Sequence, residues 1–120
     1  MTLEEVIVSE TAAIAPAHPL VMPTNAADEC IVYQLISAPE LHMATYVLPR
    51  VQLACWARSY GAAVALAAEV RNLFYERHVT VSGLHYRSEV IQRLDGNPDL
   101  DSGRYCRIVD VRFVYADPTS

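Results

Sequence analysis

The sequence predicts an α+β fold: a mixed or antiparallel sheet of about four to five strands, one long packing helix and one short N-terminal helix. Three observations lead there. Residues 59–77 carry one apolar stripe at helical spacing. Residues 29–37 and 104–115 alternate in strand fashion. The tract LDGNPDLDSG at 94–103 is dense in turn formers. With 120 residues and no internal repeat, the chain reads as a single domain, 1–120, with its core in 29–115.

Thr2 is a natural N-cap, and Glu4 and Glu5 follow in the first turn, where the helix dipole favours negative charge. Leu3, Val6, Ile7 and Ile14 share a face, so a short helix is expected over 2–14, stopped by Pro16 and Pro19. Residues 15–28 are rich in Pro and Ala and read as a connection, with a short extended piece at Leu20–Met22. Residues 29–37 alternate with both faces largely apolar, which suits a strand covered on two sides. A polar connection (38–45) leads to a second strand over 46–57. There Val51, Leu53 and Cys55 share one face, and Pro49 marks an edge, a bulge or the true start.

Ser59 caps the long helix. Ala63, Leu66, Ala67, Val70, Leu73 and Phe74 form its stripe, and the small Ala residues let it lie close against a sheet. Residues 79–94 read as extended with a break at Gly83. The last strand, 104–115, places Tyr105, Val109, Val111, Phe113 and Tyr115 on one face, and Cys106, Ile108, Asp110, Arg112 and Val114 on the other. The final ADPTS reads as a frayed tail.

Composition narrows function. Net charge is −5, and all nine positions of the Lys+Arg set are arginine. Arginine suits protein interfaces, although a GC-rich codon bias gives the same pattern. An acidic chain with no basic cluster is a poor grip for phosphates. The three cysteines, Cys30, Cys55 and Cys106, are odd in number and widely spaced. They form neither a disulfide framework nor a zinc pattern, and read as small buried hydrophobes. No basic-then-apolar leader and no membrane-length apolar run is present, so synthesis in the cytosol is expected.

Chemistry-bearing motifs are sparse. His18, His42, His78 and His85 show no metal-ligand spacing, and His78 reads as a favourable charge just past a helix end. No nucleophile elbow, phosphate cradle or carboxylate pair stands out, so neither a catalytic residue nor a cofactor nor a metal is expected. Asp95, Asp99 and Asp101 fail the calcium-loop pattern and read as a solvated turn or an interaction tip. Asp110 and Arg112 share a face of the last strand, where a neighbouring subunit is one partner and a weak surface pair the other reading. Seven Tyr against two Phe point weakly to interfaces.

The stretch RVQLACWARSYGAAVALAAEVRNLF (50–74) resembles the central signature of phage tail-completion, or tail-terminator, proteins. In it a strand of the R-V-Q type runs straight into a Ser/Thr-capped, Ala-rich helix. The carrying residues are Arg50, Val51, Gln52, Trp56, Ala57, Tyr60, Ala63, Leu66, Ala67 and Val70. CIVYQLIS (30–37) and GRYCRIVDVRFVY (103–115) look like the flanking strands of that family, in the same order. Segments 15–28 and 78–93 lack a counterpart and leave partner identity open. The resemblance implies a non-enzymatic virion protein of the tail and neck. It implies a homo-oligomeric, hexameric ring that stops tail-tube polymerisation. Its partners would be the tail-tube protein and the head connector or stopper, with DNA passing through the lumen unbound and no membrane involved. On this reading the contacts fall on three places: Glu40, Leu41 and His42 in the loop 39–45; Asp95, Asp99 and Asp101; and Asp110 with Arg112 on the terminal strand. The competing readings are another neck-ring or tail-tube subunit, and a small cytosolic enzyme or ligand-binding module with a polar pocket near His85 or Cys106.

Overall fold

A computed structural model describes residues 2–37 and 46–116. The first helix, α1 (Leu3–Thr11), starts as its sequence dictates: Thr2 and Glu5 form a reciprocal capping box. Leu3, Val6, Ile7 and Thr11 are buried, and the Thr11 hydroxyl donates to the Ile7 carbonyl at 2.7 Å, so no polar atom is stranded. The helix stops earlier than 14. The Ile14 and Ala15 amides both turn back to the Thr11 carbonyl, which sets up Pro16 to enter the sheet.

Strand β1 (Ala17–Pro19) runs parallel to β2 (Cys30–Ser37). The extended piece expected at Leu20–Met22 is corrected to these three earlier residues. Leu20 takes a positive φ of 61° and ends the strand, while its amide still reaches the Tyr33 carbonyl at 2.9 Å. The single strand expected over 46–57 is divided into β3 (Tyr46–Val47) and β4 (Arg50–Ala57). Pro49 lies between them without an N–H, yet its carbonyl accepts from Phe113 at 2.8 Å, so the chain stays beside its neighbour.

Helix α2 (Tyr60–Phe74) is capped by Ser59, whose Oγ accepts from the Ala62 amide at 3.1 Å. It buries Ala63, Leu66, Ala67, Val70 and Phe74 and ends short of 77, because Tyr75 is extended and Glu76 has φ 46°. The extended region 79–94 is a hairpin, β5 (Arg77–Val81) and β6 (Leu84–Asp95). Ser82 (φ 47°) and Gly83 (φ 86°) make its two-residue turn; two positive φ values are what a tight hairpin of this hand requires. Strand β7 (Tyr105–Ala116) completes the sheet.

The sheet has seven strands in the order β1-β2-β4-β7-β6-β5, with β3 beside β7. The class is the α+β one expected, with more strands because short segments also joined. Both helices pack on one face, over Val51, Leu53, Cys55, Val109, Val111 and Phe113. Phe74 and Tyr86 meet the Phe113 ring edge-on at 5.4 and 5.5 Å. Tyr105 shares this face by register, as expected, but is not covered by the helix. Arg107, two residues on, already meets the first residue of α2, so Tyr105 lies past the end of the helix and is exposed. Cys106 is buried instead, because Gly96 backs onto it. A β-carbon at Gly96 would stand 2.7 Å from the Cys106 sulfur. Bulges at Ile36 in β2 and Ile91 in β6 leave both isoleucines exposed.

Candidate assembly surfaces

The face of the sheet away from the helices carries a polar band. Register aligns Gln34, Gln52, Asp110 and Gln92 across β2, β4, β7 and β6, and the next row holds Arg50, Arg112 and Glu89. Asp110 is 1% exposed. Arg50 forks onto it, its Nε donating at 3.1 Å to one oxygen and its terminal nitrogen donating to the other; Gln92 Nε2 adds a bond of 3.0 Å. Burial pushes the Asp110 carboxyl up, but the bonds from Arg50 and Gln92, with the Arg50 charge, hold it below the usual carboxylate range. The expectation of a surface Asp110–Arg112 pair is therefore corrected. Asp110 instead takes Gln92, directly opposite it on β6, and the diagonal Arg50 on β4, whose long side chain reaches across. It pins three strands in register. Arg112, half-buried beside it, adds positive charge to this band.

The turn between β6 and β7 forms an acidic tip. Asp95 accepts from Arg107 at 2.7 Å and from the Tyr60 hydroxyl at 3.0 Å. Those bonds, Arg107 first, keep its carboxyl below the ordinary range. Asp99 folds the turn on itself, accepting from the Ser102 hydroxyl at 2.8 Å and the Asp101 amide at 3.2 Å. Asp101 and Leu100 are exposed at the apex. Asp99 thus shapes the tip, and Asp101 presents charge from it. Glu40, Leu41 and His42 lie outside the described residues.

Arg104 is a residue that sequence reasoning missed. It is buried at the base of the tip and donates to the Ala26 carbonyl at 2.9 Å and toward the Met22 sulfur at 2.8 Å. It thereby ties the Pro-rich connection 20–28, which has no pattern of its own, to the end of the sheet. No local pattern signals it, because its partners Met22 and Ala26 are brought to it only by the tertiary fold.

His78 does not cap α2. It belongs to β5, and its ring faces that of His85 across the hairpin at 4.7 Å. Among the described residues no group of three or more His, Cys, Asp or Glu stands close enough to hold a metal ion. All three cysteines are buried. Burial pushes the Cys106 thiol up to about 11 and raises Cys55 further, so both stay protonated and unreactive at neutral pH. No helix among the described residues is long and apolar enough to cross a membrane.

The described residues thus form one sheet with two helices on one face, a polar band on the other and a charged tip at one end. A protein-family model described as bacteriophage tail terminator protein matches residues 20–117, and the chain belongs to that family. It is a tail protein of a bacteriophage, and the family is a structural one. No curated protein matches it.

Proposed function

We propose that the chain is the subunit of a ring at the head-proximal end of the phage tail tube, where it ends tube polymerisation and joins the tail to the head connector. The family match over 20–117 carries this reading. The build supports it: a sheet cross-braced by Arg50, Asp110 and Gln92 is a rigid scaffold that can present loops at its ends without deforming. The action is stoichiometric rather than catalytic. One ring face docks the last tube ring and the other receives the connector. A net charge of −5 suits a channel that DNA must traverse without sticking. Six copies is the ring number that the resemblance favours.

Contacts are assigned to the loop 39–45 through Glu40, Leu41 and His42, to the tip through Asp95, Asp99 and Asp101, and to the band through Arg112, with Asp110 as its internal brace. The test is imaging of assembled tails together with the mass of the tube-bound species. A ring of this chain capping the head-proximal end supports the proposal. Tubes that stop at normal length without it would end the proposal. Joint substitution of Glu40, Leu41 and His42 by alanine should leave the far-UV spectrum intact while weakening docking to tubes. Unimpaired docking would remove that loop from the interface.

A further inference from the structure

The two edges of the sheet are unlike, and they fit each other. At the β2 edge, on the helix-covered face, lies an open apolar hollow of about 190 Å³. Leu3, Ile7, Leu20, Tyr33 and Leu35 line it and Glu4 is the acidic group on its wall. A void of about 150 Å³ holds one benzene ring, so this one has room for a single aromatic side chain. At the opposite edge, α2 gives way to β5 through Tyr75, which is 50% exposed. The Arg71 guanidinium stacks on the Tyr75 ring at 4.0 Å. Arg71 donates to Asn72 at 3.2 Å but pairs with no carboxylate among the described residues.

We propose that the stacked Tyr75–Arg71 pair of one copy seats in the Leu3–Ile7–Leu35 hollow of the next, with Arg71 meeting Glu4. The inference rests on the ring reading above and names its subunit contact. Several observations select a second copy as the occupant. Charge is complementary, an arginine with no carboxylate partner among the described residues against the carboxylate on the hollow's wall. The residue types are those that anchor interfaces, Tyr and Arg entering an apolar pocket. Knob and hole sit on opposite edges, so the contact is head-to-tail and leaves an open chain of copies with one free knob at one end and one free hole at the other until the ring closes. Their heights also agree. Leu35 and Val51 lie on the row of Val111, and Ser88, whose hydroxyl donates to the Phe74 carbonyl, lies on the row of Phe113, two residues along. A contact with so small an offset along the strands favours a closed ring over a steep helix.

The experiment follows assembly of the full chain by mass photometry across a dilution series, with circular dichroism as the fold control. Tyr75→Ala and Arg71→Glu should each weaken assembly by about tenfold or more. Leu20→Asp, at a site 69% exposed, should do the same from the hole side. Arg71→Glu combined with Glu4→Arg should recover assembly. Wild-type rings with Tyr75→Ala and Arg71→Glu unaffected would overturn the knob while leaving the ring reading in place. Loss in Leu20→Asp alone would also overturn it, assigning the hollow to a tube protein or to the chain's own segment 38–45. A wild-type chain that stays monomeric at every concentration and on tube ends would overturn both.

Discussion

The molecule contains the same three-residue cluster twice, an acid, an arginine and a tyrosine, in two different settings. Glu10, Arg77 and Tyr86 join α1 to the β5–β6 hairpin. Glu10 accepts from Arg77 at 2.9 Å and from the Tyr86 hydroxyl at 2.7 Å. Asp95, Arg107 and Tyr60 join β6 to β7 and to the start of α2 with nearly the same distances. Water separates the two. The Glu10 and Arg77 side chains are 15% and 32% exposed and Tyr86 is fully buried, whereas the Asp95 side chain is 54% exposed. Equal geometry therefore carries unequal energy. An exposed pair is already well solvated when broken, while a buried one leaves charge without solvent. The first cluster is a latch for α1, and α1 supplies Leu3, Glu4 and Ile7 to the hollow at the other edge of the sheet.

The largest effect should come from breaking the inner latch. Arg77→Met keeps the stem of the side chain and removes its donors, stranding the Glu10 carboxylate against the Tyr86 hydroxyl. Loss of about 2 kcal/mol in urea unfolding is expected at neutral pH. An unchanged midpoint would mean that water reaches Glu10 and that the two clusters are equivalent after all.

This latch was invisible in the sequence, and the reason is physical. Glu10 lies 67 residues from Arg77 and 76 from Tyr86. Nothing in local propensity reports on a pairing made by tertiary register. The elements that were legible depend on local terms. The Ser59 cap and the Ala63–Leu66–Ala67–Val70 stripe fix α2, and the Val109–Val111–Phe113 alternation fixes the core face of β7. Gly83 was legible as a break but not as a hairpin turn, since its partner in positive φ, Ser82, is not a glycine. Asp110 was singled out for its charge but misread as a surface residue, because its burial depends on Arg50 and Gln92 arriving from two other strands. The hollow and its knob had no local signature, as each is built from residues that meet only when the sheet closes.

A smaller effect isolates the tyrosine of the inner latch. Burial, then the bond and the charge of Glu10, raise the Tyr86 phenol well above its ordinary 10.0. A folded-state value above the unfolded one gives stability that is complete below pH 10 and is lost as pH rises above it. Tyr86→Phe should cost about 1 kcal/mol at pH 7 through the lost hydrogen bond. It should also flatten the decline of stability between pH 10 and higher values, so that the two proteins converge there. Parallel curves in that range would show that Tyr86 ionises as freely folded as unfolded.

The outer cluster gives the smallest effect. Asp95→Asn removes the charge attracted to Arg107 and keeps a group able to bond Tyr60. Because the Asp95 side chain stands in solvent and salt screens it, the urea midpoint of the isolated subunit at pH 7 and 0.15 M salt should not move measurably. The carboxyl is held low in the folded state, so whatever it contributes is present above the ordinary carboxylate range and disappears as pH falls through the folded value. The variant should accordingly differ from wild type only in assembly, if the tip docks a partner. A midpoint shift as large as that of Arg77→Met would show that exposure does not separate the two clusters, and that the tip is a structural brace rather than a surface held free for contact.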